Sequence, residues 1–169
     1  ACGSQVEESV NRSENERLEQ KDHKAAIVDY DKAIELDPKN AKLYYNRGLA
    51  RYETQDYQAA IADFAKAIEL DPELALAYNN RGLAYSETQN YQAAIADYDK
   101  AIELDPQLAL AYNNRGFAHS ETQDYQAAIA DYNKAIELDS ENAEAYNNRG
   151  IARYQTQDYQ AAIADYDKA

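Results

Sequence analysis

Few residues in this chain have side chains suited to catalysis. Histidine occurs only as His23 and His119, cysteine only as Cys2, and acids recur two residues apart as Asp97/Asp99, with Asp131/Asn133 as the partly neutral version. Acid–base catalysis by two carboxylates needs both on one surface, and residues two apart on a helix do not share a face. No Ser/His/Asp arrangement and no His/Cys spacing suited to a metal is present. The glycines are single, so no Gly-rich phosphate loop exists. A recurring Tyr/Asn/Arg set could stack on single-stranded nucleic acid. The formal net charge of −14 opposes that, because phosphate contacts depend on Lys and Arg. The reading is non-enzymatic, with no cofactor, no metal and no nucleic acid.

The elements that must carry these residues follow from a period. The stretch Ala75–Leu108 returns as Ala109–Asn142, with 27 of 34 positions identical. It also appears as Ala41–Leu74 and begins again at Ala143. Gly48, Gly82, Gly116 and Gly150 mark the spacing. A fixed period in this range is the signature of a stacked array. Each period reads as two helices. Tyr78, Arg81, Gly82 and Tyr85 share one helical face over 78–88, and Tyr91, Ala94, Ile95, Tyr98, Ala101 and Ile102 share one over 91–104. A mid-helix glycine costs about 1 kcal/mol against Ala, so its recurrence implies that another backbone passes very close. Asn90 and its equivalents Asp56, Asp124 and Asp158 are expected N-caps of the second helix. The Asp105-Pro106 step ends it.

Tyr78, Gly82, Tyr85, Ala94, Tyr98, Ala101 and Pro106 fall at the spacing of the tetratricopeptide repeat motif, and the chain resembles that family over nearly its whole length. The place of Tyr85 holds Arg51, His119 and Arg153 elsewhere, Pro106 becomes Ser140, and the family's usual Leu is Arg47, Arg81, Arg115 and Arg149. His23 and His119 stand where other repeats have Tyr and read as aromatic substitutes in packing. The resemblance implies an all-α, right-handed superhelical solenoid of antiparallel helix pairs in 34-residue repeats. The expected divisions are 1–6, a disordered or cloning-derived N-terminus; 7–40, a degenerate first repeat with a polar capping helix; repeats at 41–74, 75–108 and 109–142; and a truncated repeat at 143–169.

Alanine and Tyr supply most of the 45% hydrophobic content, while Trp and Met are absent. The core is therefore expected as a ribbon between repeats, with stability summed over interfaces. One cysteine excludes an internal disulfide, and no apolar run reaches the ~18 residues of a membrane span. Ala1-Cys2-Gly3-Ser4 resembles either a cloning remnant or the start of a mature bacterial lipoprotein. A cytoplasmic location is the expectation, or a lipid-anchored periplasmic one if Cys2 is native.

By family analogy the first helices line a concave groove. The expected function is a protein-interaction module that binds a partner peptide or helix there. The residues expected to line the groove are Tyr45, Asn46, Leu49 and Tyr52; Asn79, Asn80 and Leu83; Asn113, Asn114 and Phe117; and Asn147, Asn148 and Ile151, with Ser86, Ser120 and Tyr154 beside them. Asn side chains can match the N–H and C=O of an extended peptide. Some family members grip a C-terminal carboxylate with Lys and Arg where this chain has Tyr45, Asn79, Asn80 and Asn114, so that clamp is not expected. Two alternatives remain: an assembly or scaffold subunit joined through its ends, with the 143–169 hairpin stacking on another molecule, and an engineered repeat array. The recurring Arg requires a buried partner. A ladder between repeats is expected, with pairs Asp29–Arg47, Asp63–Arg81, Asp97–Arg115 and Asp131–Arg149.

Overall fold

In a computed structural model the described residues are 22–169. Cys2, the expected N-terminal segment 1–6 and the expected capping helix over 7–20 lie outside them. Among the described residues every regular element is a helix. The chain divides into two compact units, split between Leu70 and Asp71.

The described part of the first unit holds α1 (22–36), α2 (Ala41–Glu53) and α3 (Tyr57–Leu70). The second unit holds three helix pairs: α4 (Ala75–Glu87) with α5 (Tyr91–Leu104), α6 (Ala109–Glu121) with α7 (Tyr125–Leu138), and α8 (Ala143–Gln155) with α9 (Tyr159–Tyr166). Each pair packs internally, each second helix packs on the first helix that follows it within the unit, and α6 lies beside both α4 and α8. The fold is an all-α solenoid of helix pairs.

Local chemistry sets the turns. The side chains of Asn90, Asp124 and Asp158 accept from the amides of Ala93, Ala127 and Ala161, and Asp56 accepts from Ala59. These are the expected N-caps, and each satisfies an amide that the helix leaves unpaired. Each first helix ends in a left-handed residue that its sequence does not advertise. Gln55, Gln89, Gln123 and Gln157 sit at φ between 59° and 65°. Gln89 N–H reaches Ser86 O and Asn90 N–H reaches Tyr85 O, at 2.9 and 2.8 Å. This double bond pattern is the Schellman ending, usually built on Gly.

The core is built of buried alanines around the rings of Phe64, Tyr98 and Tyr132. Ala94 and Tyr98 of α5 pack with Ala118 of α6, and Ala128 and Tyr132 of α7 pack with Ala152 of α8. The glycines explain how the helices approach, though not as expected. A Cβ on Gly82 would meet the Tyr98 ring at 2.7 Å, and one on Gly116 the Tyr132 ring at 2.8 Å. The close neighbour is thus an aromatic ring from the second helix of the same pair, not a backbone. A flat ring lying on the helix needs the same missing methyl group that a crossing backbone would.

Candidate functional site

Each recurring arginine sits at the centre of its helix pair. Arg81 donates from Nε and Nη2 to the two oxygens of Asp97, at 2.7 and 2.6 Å. Arg47 makes the same fork with Asp63, Arg115 with Asp131, and Arg149 with Asp165. The acids are buried and the guanidinium groups largely so. A bidentate, charge-assisted pair is the geometry that compensates such burial. The fork with Asp131 is also the main reason the Arg115 guanidinium is held above its ordinary range. Each guanidinium lies over the ring of the Tyr three residues before it, at 5.3 to 5.7 Å.

This geometry corrects the expected pairing. The ladder Asp29–Arg47, Asp97–Arg115 and Asp131–Arg149 is not formed, because each Arg forks onto the acid of its own repeat. Asp29 is exposed and lies 3.8 Å from Lys32. The link between repeats uses a different residue, two places further along. Arg47 Nη1 donates to Asp31 and Arg115 Nη1 to Asp99, each at 2.6 Å, and Arg149 Nη1 donates to Asn133 at 2.6 Å. The neighbouring acids Asp97 and Asp99 therefore serve two arginines on opposite sides, as their divergence around the helix requires. Arg51 and Arg153 add a third bond to Asp63 and Asp165 at 2.9 and 2.8 Å, and His119 Nε2 lies 3.9 Å from Asp131. The place of His119 gathers nitrogen around the acid, which goes beyond the aromatic filling expected of it.

The expected groove residues divide into a buried set and a presented set. Asn79 and Asn113 are 0% and 1% exposed and Asn114 is 8% exposed, which corrects their expected place on an open surface. They pack between adjacent first helices. Asn114 Nδ2 donates to Asn79 Oδ1 at 3.0 Å, and Asn79 Nδ2 donates to Asn80 Oδ1 at 3.0 Å. A buried amide needs such a partner, and this one joins α6 to α4. Asn147 is exposed, while Asn80, Leu83 and Asn148 are half-buried.

Phe117 and Ile151 are presented to solvent, at 43% and 46% exposure. They flank a hollow of about 110 Å³ between α6 and α8, completed by Ser120, Glu121, Tyr132 and Asn148. The Tyr132 hydroxyl lies 3.4 Å from Ser120 Oγ, and burial pushes its pKa up to about 12. Glu121 escaped the sequence reading. Its Oε2 accepts from the Tyr91 hydroxyl at 3.2 Å.

In the first unit, Asn46 and Leu49 line a cavity of about 200 Å³ with His23, Ala26, Tyr30, Ala50 and Glu53. Tyr45 packs on Phe64 with ring centroids 5.9 Å apart, and Tyr52 meets Tyr57 edge-on at 5.3 Å. Among the described residues no group of His, Cys, Asp and Glu is arranged to hold a metal, and no helix is long and apolar enough to cross a membrane.

The solved structure of MamA is 28% identical to this chain, covers 88% of it and 86% of its own length, and superimposes with a TM-score of 0.82. The first TPR of Spaghetti (RPAP3), bound to the HSP90 peptide SRMEEVD, is 26% identical at a TM-score of 0.69, covering 72% of this chain and 96% of that one. The Arabidopsis OM64 TPR domain is 29% identical at 0.67, covering 68% and 95%. A sequence search of curated proteins finds no match. The TPR repeat family matches residues 15–55, 48–89 and 120–157, and two Tetratricopeptide repeat families match 75–108 and 97–130. With the period, the helix pairs and these matches in agreement, the chain belongs to the tetratricopeptide repeat family.

Proposed function

We propose that this chain is a non-enzymatic protein-interaction module. It binds a partner peptide or helix along the face shared by α4, α6 and α8. The observation that carries this reading is the exposed pair Phe117 and Ile151 flanking a hollow with polar groups at its edge. Apolar residues open to solvent beside a few oriented polar groups are the usual make-up of a recognition site. The similarity to RPAP3, whose structure holds a peptide, supports the same reading.

The test is affinity capture from the source organism. The chain and its Phe117→Asp/Ile151→Asp variant serve as parallel baits, with quantitative mass spectrometry as the readout. A partner retained by the first bait and lost by the second supports the reading. Equal retention by both overturns it.

A second reading, self-association through the apolar face of α9, is favoured by the exposure of Tyr159, Ile163 and Tyr166. Sedimentation velocity over a concentration series decides it. A growing species that Ile163→Asp abolishes supports it, and a constant monomer removes it.

A further inference from the structure

The two contacts between first helices in the second unit are built differently. At α4/α6 the Asn114 amide donates to Asn79. One period on, the equivalent bond would run from Asn148 to Asn113, and it is not made. Asn113 Nδ2 donates instead to Glu144 Oε1 at 3.1 Å, and Asn113 Oδ1 is buried with no hydrogen-bond partner among the described residues. The cause is legible in the repeat. Glu144 stands where the preceding repeat has Leu110, and a carboxylate captures an amide N–H that a leucine cannot. Asn148 is left half-buried on the wall of the hollow, its amide bonded to no other described residue.

The charge around this hollow is one-sided. Arg115, Arg149 and Arg153 on α6 and α8 are all committed to carboxylates. Glu121 lines the hollow and Glu144 lies about one turn before Asn148 on α8; both are held by neutral donors, Tyr91 and Asn113, and no cation among the described residues offsets their charge. Between Phe117 and Ile151 there is space for a few times the ~30 Å³ that a water molecule occupies in the liquid, which suits one aliphatic side chain.

We propose, resting on the interaction reading above, that the α6/α8 hollow selects a basic segment: an aliphatic side chain in the hollow, flanked by Lys or Arg facing Glu121 and Glu144. The Asn148 amide bonds the backbone of that segment. Acidic segments are rejected by the same two carboxylates, since like charges across an interface discriminate against the wrong partner.

The experiment selects a random twelve-residue peptide library displayed on phage against the intact chain. The best peptide is then measured by fluorescence anisotropy, with the acidic peptide SRMEEVD as comparator. Enrichment of sequences that combine Leu, Ile or Val with Lys or Arg is expected. Glu121→Gln weakens the selected peptide roughly two- to fivefold, the range of an exposed charge pair. Asn148→Ala weakens it roughly three- to tenfold. Glu144→Leu also weakens it, because the Asn148 amide returns to Asn113. Gln126→Ala, an exposed change on α7, leaves binding unchanged. Enrichment of acidic sequences, tighter binding of SRMEEVD, or indifference to Glu121→Gln and Asn148→Ala overturns the charge selection while leaving a groove. No enrichment at all, or peptides that bind Phe117→Asp/Ile151→Asp equally well, overturns the interaction reading itself.

Discussion

Arg115 grips Asp131 with two nitrogens and reaches Asp99 of the preceding helix pair with the third, at distances of 2.8, 2.6 and 2.6 Å. The fork lies inside one helix pair, and the third bond ties that pair to its neighbour. The two contacts differ in burial, since the Asp131 side chain is 8% exposed and that of Asp99 is 56% exposed. Their removal should therefore have unequal effects. Arg115→Leu leaves a buried carboxylate without its fork and should lower stability by about 3 kcal/mol. Asp99→Asn keeps an acceptor for Arg115, as Asn133 does for Arg149, and removes only the charge of a solvated contact, so it should cost under about 1 kcal/mol. Arg115→Leu/Asp131→Leu should recover most of the first loss, because neither charge is then stranded. Urea titrations followed by circular dichroism measure all three. Equal effects of Arg115→Leu and Asp99→Asn would contradict this division of roles.

Gly116→Ala brings two opposing effects into one position. Alanine is the better helix former by about 1 kcal/mol. Its methyl group would lie 2.8 Å from the Tyr132 ring, which is buried and cannot swing away. Overpacking of this kind costs about 1 to 3 kcal/mol, so the substitution should destabilise. In a Tyr132→Ala background the clash is gone, and Gly116→Ala should become neutral or stabilising. Thermal melts of the four combinations test this change of sign.

Burial raises the Tyr132 hydroxyl to about 12. A phenol raised in the folded state keeps its proton after the unfolded chain has lost its own near pH ~10. The stability it contributes is whole below about pH 10 and is lost as pH climbs toward 12, to a limit of about 2 to 3 kcal/mol. Tyr132→Phe should flatten this alkaline decline, and Phe64 in the first unit shows that the place accepts a phenyl ring. Urea midpoints at pH 8, 9, 10 and 11 for both chains provide the check. Parallel curves would mean that Tyr132 titrates alike in both states.

Gln89 and its equivalents hold a left-handed conformation in which the Cβ atom crowds the carbonyl oxygen. Glycine adopts it without that penalty. Gln89→Gly should stabilise by roughly 0.5 to 1 kcal/mol, even though glycine is the worse choice in most other places. Gln89→Val should destabilise by more than that. A lower melting temperature for Gln89→Gly would show that the Gln side chain makes a contact worth more than the strain.

The sequence alone determined what depends on near neighbours along the chain. The two helices of each repeat and the N-caps at Asn90, Asp124 and Asp158 follow from spacings of a few residues, and the stacked array follows from the recurrence of that pattern along the chain. Repetition also limited what could be read. Arg47 has an acid sixteen residues ahead at Asp63, one sixteen behind at Asp31 and one eighteen behind at Asp29, and a repeating sequence offers no rule for choosing among them. The tertiary structure chose Asp63 and Asp31, because those two carboxylates face the first helix from either side while Asp29 turns to solvent. It also decided that Asn79, Asn113 and Asn114 are buried and that a ring, not a backbone, rests on each glycine. Both outcomes depend on how closely successive helices approach and which faces they turn toward each other. The same cause separates Asn114, bonded to Asn79, from Asn148, left open beside Phe117 and Ile151. One Leu-to-Glu difference between repeats has that effect only because α6 and α8 lie side by side.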